Sequence, residues 1–88
     1  RRVGPVNRAT LAATLDDFAA AGDYDGAREY GLALPPCSPE RKASLRRARA
    51  IAARLDGDIA EALEFEQLSE RWLAELVDGV VENTSAEQ

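Results

Sequence analysis

The chain has 88 residues, 45% of them hydrophobic, and a net charge of -5. This length supports one core and leaves too little apolar surface for a second domain, while the apolar fraction is well above that of chains that stay unfolded. The acidic balance argues against a dedicated nucleic-acid binder, which draws most of its affinity from clustered positive charge. No apolar run approaches a bilayer-spanning length of about 20 residues.

Seventeen residues are alanine and only five are aromatic. Alanine is the best helix former but buries little area. The core is therefore expected to rest on a few larger side chains: Leu11, Leu15, Phe18, Tyr24, Tyr30, Leu34, Leu45, Ile51, Leu55, Phe65, Leu68, Trp72, Leu73 and Leu76.

Residues 1–7 read as a flexible lead-in, with Gly4-Pro5 and then Asn7 or Thr10 as stop and cap signals. Leu11, Leu15 and Phe18 follow at spacings of four and three, which puts them on one face of a first helix, Arg8–Ala21. Gly22 supplies a left-handed turn and Asp23 a cap for a short second helix over 24–34. Pro35, Pro36 and Pro39 bar any continuation, and Ser38-Pro39-Glu40 opens a third helix, Pro39–Leu55. Gly57 ends it. Asp58 and Glu61, three apart, make a capping-box-like start for a fourth helix over 59–81. A disordered tail is expected over 82–88. Short connections favour antiparallel neighbours, so the expected fold is all-α: one domain over 8–81, a compact bundle of four helices built from two hairpins.

The two hairpins echo each other. Gly22-Asp23 recurs as Gly57-Asp58, Ala27 as Ala62 and Tyr30 as Phe65, each 35 residues on. At Gly22-Asp23-Tyr24-Asp25-Gly26-Ala27 the chain resembles the tetratricopeptide repeat, in which a glycine closes the first helix and a small residue in the second allows close packing. That likeness extends over Leu11 to Leu68 and implies a helical-hairpin scaffold that binds protein. The departures are Gly31 at the place of an aromatic, which falls instead at Tyr30, and the lack of the family's usual first-helix tryptophan and glycine. From Asp58 to Glu66 the chain also looks like the terminal helices of enoyl-CoA hydratase relatives, which implies a part in assembly.

Two surfaces stand out. Along the fourth helix Ile59, Ala62, Leu73, Val77 and Val80 group on one side, and Phe65, Leu68, Trp72 and Leu76 on an adjacent one. Together they cover about half the circumference, wider than one neighbour needs. The second stripe is thus a candidate partner-binding face with Trp72 as its anchor; the alternative is that all of it is core. Residues 41–54 carry six cations and no anion. Lys42, Arg46 and Arg49 form a candidate electrostatic patch, or else a solvated face balanced by the ten acids of residues 56–88.

Chemistry finds little footing. With no histidine, a serine or cysteine nucleophile lacks its usual base and histidine-containing metal sites are ruled out. Of the acid pairs, Asp16 and Asp17 are adjacent on a helix and do not face each other, Asp23 and Asp25 are accounted for by capping and the helix dipole, and Glu66 and Glu70 by an arginine from another element. Cys37, the single cysteine, cannot form an intrachain disulfide. No catalytic residue, metal or cofactor is expected. The expectation is a non-catalytic protein-interaction module binding a protein partner or a second copy of itself, without nucleic acid or membrane; the alternative is an oligomerisation or interdomain-assembly domain of a larger enzyme. Ten arginines against one lysine, with abundant alanine, fit a bacterial source. The lone cysteine and the lack of a signal-peptide pattern fit the cytoplasm.

Overall fold

The computed structural model describes residues 7–76. Its element order is α1 (Arg8–Ala21), α2 (Tyr24–Leu32), α3 (Pro39–Leu55) and α4 (Ile59–Leu73), with no strand among the described residues. The lead-in 1–6, the stretch 77–81 assigned above to the fourth helix, and the tail 82–88 lie outside those residues.

All four helices begin on a side-chain cap. Asn7 accepts from the Thr10 amide, Asp23 from Gly26, Ser38 from Arg41 and Asp58 from Glu61, at 2.9–3.1 Å. Such caps satisfy amides that no turn of the helix can reach. The two hairpin turns share one geometry. Gly22 and Gly57 have φ of 65° and 82°, a region a side chain would strain. In the first turn the Gly22 and Asp23 amides donate to the Ala19 and Phe18 carbonyls. In the second, the Gly57 and Asp58 amides donate to Arg54 and Ala53. Both are the paired bonds of a Schellman motif. The 35-residue echo is therefore a repeated stop-and-restart device, and the echoed Ala27 and Ala62 are both fully buried.

Two helices stop short of expectation. α2 ends at Leu32 because Leu34 precedes Pro35, whose ring drives the preceding residue out of the helical region; Arg41 then donates to the released Leu32 and Leu34 carbonyls at 3.5 and 3.3 Å. α4 ends at Leu73, where the Glu75 and Leu76 amides donate to Trp72 and Leu73 in tighter three-residue turns that fold Leu76 inward.

α3 is the central helix. It packs most extensively on α4 and next on α2, while α1 makes smaller contacts with all three. One cluster joins Leu11 and Leu15 of α1 to Ala43, Leu73 and Leu76; the other joins Ala27 to Ala48 and Ile51. The core departs from the expected roster of large side chains. Among the described residues, six of the eleven buried apolar side chains are alanines, whose size lets helix backbones approach. Phe18, Tyr24, Tyr30, Leu34, Leu45, Phe65, Leu68 and Trp72 are half-buried around them, and Leu55 is 65% exposed. Two serines complete the seam: Ser69 is 1% exposed and donates to the Ala43 carbonyl across the α3–α4 contact at 2.8 Å, and Ser44, fully buried, donates to Glu40 in its own helix. A satisfied hydroxyl can be buried at little net cost.

Candidate interaction surface

Antiparallel packing of α3 on α4 sets the cations of one helix beside the apolar stripe of the other. The Lys42 ammonium lies 4.4 Å from the centre of the Trp72 ring, and the Arg49 guanidinium 4.7 Å from that of Phe65. Between them, Arg46 and Leu68 line the same groove. The three cations recur at spacings of four and three along α3, and the apolar residues at three and four along α4, so each series holds one helix face. Exposed cation–π contacts of this kind contribute about 0.5–1 kcal/mol each. The two surfaces read separately from sequence are therefore one surface in the fold.

The groove has a volume of about 350 Å³. Ala48, buried in α3, forms its floor with the half-buried Leu45 and Leu68; a small residue between larger ones leaves the depression. Phe65 and Tyr24 stand at its sides, and Arg28, Arg46 and Arg49 surround it. α2 thus supplies two residues that the sequence reading missed, although Tyr24 and Arg28, four apart, were on one helical face. Leu76 goes the other way: only 9% exposed, it belongs to the core with Leu11 and Leu15. Trp72, half-buried against that same cluster, continues the stripe beyond the groove lining.

The charges sort by direction. On the far side of α3, Arg47 pairs with Asp16 at 3.0 Å, and Arg54 grips Glu66 with two hydrogen bonds of 2.6 and 3.1 Å. On the groove side, Arg49 has a longer pair with Glu61 at 3.6 Å. Arg28 and Arg46 form no ion pair or side-chain hydrogen bond among the described residues. The acids of α4 therefore neutralise α3 only in part.

The bond from Arg54 holds the Glu66 carboxyl below its ordinary value of 4.5; partial burial opposes this, and the charges of Arg54 and Arg47 add to it. A carboxyl depressed in the folded state contributes stability that is complete above its unfolded value and lost as pH falls through the lowered one. Urea titrations are expected to show the wild type losing stability below about pH 4.5 more steeply than Glu66→Gln. Parallel curves would show that the pair adds nothing.

Among the described residues, no three His, Cys, Asp or Glu side chains gather into a metal-binding group, and no helix is long and apolar enough to cross a membrane. Cys37 is exposed, with φ of 63°. No family model, curated protein or solved structure matches the chain.

Proposed function

We propose that this chain is a non-catalytic protein-interaction module, an adaptor or docking domain, and that its partner seats on the surface shared by α2, α3 and α4. The observation behind this reading is an open apolar groove lined by Leu68 and Phe65 and rimmed by arginines, two of which have no partner within the described fold. An apolar centre within a charged rim is the usual anatomy of a protein interface. The absence of histidine from the sequence supports a role without catalysis, and the twin Schellman turns support the tetratricopeptide-like scaffold. A bacterial cytoplasmic setting is part of the same proposal.

A photo-activatable side chain at position 68 is expected to give a discrete protein adduct in the cells that make this protein, and the same group at position 29, exposed on α2 outside the groove lining, to give none. Equal labelling from both positions would sink the docking role.

One observation favours the alternative, an assembly domain of a larger bacterial enzyme. Leu55, Ile59 and Leu63 are 65%, 48% and 48% exposed around the second hairpin turn, away from the groove lining. Sedimentation over a range of concentrations separates the readings: concentration-dependent self-association abolished by Leu63→Asp supports assembly, and a monomer throughout leaves the docking role ahead.

A further inference from the structure

We infer that the groove between α2, α3 and α4 takes an acidic amphipathic segment of a partner protein, with one large apolar side chain over Leu45, Ala48 and Leu68 and carboxylates against Arg28, Arg46 and Arg49. This rests on the docking role proposed above and names the chemistry of its partner.

Charge complementarity is the first support. The chain as a whole is acidic, at -5, yet three guanidinium groups surround one groove. The other arginines of α3 are engaged inside the fold: Arg41 with the carbonyls at the end of α2, Arg47 with Asp16 and Arg54 with Glu66. Among the cations of α2 and α3, those left without a close carboxylate or carbonyl thus lie on the groove side, where the one pair is Arg49 to Glu61 at 3.6 Å. Arg71 of α4, outside the groove lining, also has no ion pair among the described residues. Like charges held together repel, and a ligand bearing carboxylates relieves that repulsion while guanidinium forks orient it.

Shape is the second. At about 350 Å³ the groove is near the lower end of the range for ligand pockets, room for a single anchor and not for a whole helix face. The rim must then supply the remaining contacts, and the rim is cationic. A nucleic-acid strand fits less well: the Phe65 ring, which a base would need for stacking, is covered by the guanidinium of Arg49.

The test is a displayed library of helical peptides with a fixed central leucine or phenylalanine and flanking positions randomised among Glu, Lys and Ser, selected against the full chain. Enrichment of Glu is expected, and binding of the best peptide is expected to weaken roughly tenfold or more, and to become less sensitive to salt, in Arg46→Glu/Arg49→Glu. Circular dichroism checks that this variant remains helical; Arg28→Glu, at an exposed position of α2, repeats the measurement if it does not. Enrichment of Lys or Ser, or acidic binders indifferent to the arginine changes, overturns the acidic partner and leaves docking intact. No enrichment, together with equal cross-linking at positions 68 and 29, overturns both. A labelled single-stranded oligonucleotide that binds with the same arginine dependence would assign the cations to phosphate and also overturn the inference.

Discussion

Leu15→Ala is expected to destabilise the fold by about 2–5 kcal/mol, the range for deleting a large aliphatic side chain from a core. Leu15 is fully buried, and its cluster contains just four large aliphatic residues, Leu11, Leu15, Leu73 and Leu76, around Ala43. The side chains packed against this cluster from outside are Ala12 and the aromatics Phe18, Tyr30 and Trp72, flat rings that replace a lost isobutyl group poorly. α1 also makes the fewest contacts of the four helices, so these leucines do much of the work of docking it. Small domains have only about 5–15 kcal/mol of stability in all, and the variant is expected to show a large fall in urea midpoint, with α1 amides exchanging hydrogen faster than those of α3. A loss below about 1 kcal/mol would mean that the leucine cluster is not the anchor of α1.

Gly31→Leu is expected to destabilise by about 1–3 kcal/mol although it replaces a poor helix former with a good one. Gly31 is buried where α2 meets α3. A Cβ there would lie 3.0 Å from both Ser44 Cβ and Leu45 Cδ2. The Leu45 branch can rotate, but Ser44 Cβ is attached to the backbone of α3, so the helices must part. Gly31→Ala separates the opposing terms: its gain of about 1 kcal/mol in helix propensity is set against the contacts of a single Cβ with Ser44 and Leu45. The leucine variant is expected to be less stable than the alanine one in urea, with amide shifts of α3 displaced around Ser44. A leucine variant as stable as the parent would show that α2 is free to move outward, and would remove close packing as the reason for glycine at this position.

Both predictions rest on contacts that periodicity does not reveal. The starts and stops of α1 and α3 were legible because caps, glycines and prolines act within a few residues: Asn7, Gly22, Ser38-Pro39 and Gly57 each impose a local backbone conformation whatever lies around them. The apolar faces on which Leu11, Leu15, Ile51 and Leu73 lie were legible for the same reason, since helical spacing is a property of the chain itself. The early ends of α2 and α4 were harder to see. One depends on the restraint Pro35 places on Leu34, and the other coincides with the three-residue turns that accompany the burial of Leu76.

The candidate surface divides along the same line. Phe65, Leu68 and Trp72 could be assigned to one face of α4, and Lys42, Arg46 and Arg49 to one face of α3, from sequence alone. That the two faces adjoin depends on the antiparallel register of two helices, and Tyr24 and Arg28 join them through the separate packing of α2 on α3. Burial likewise depends on which helices meet. Ala43, Ala48 and Ala62 are core because neighbouring helices approach closely there, whereas Leu55, expected inside, meets the first hairpin turn near Gly22 and stays 65% exposed among the described residues. Local chain chemistry determines helices and their faces; which of those faces meet, and which charges remain unmatched, is a property of distant residues brought together.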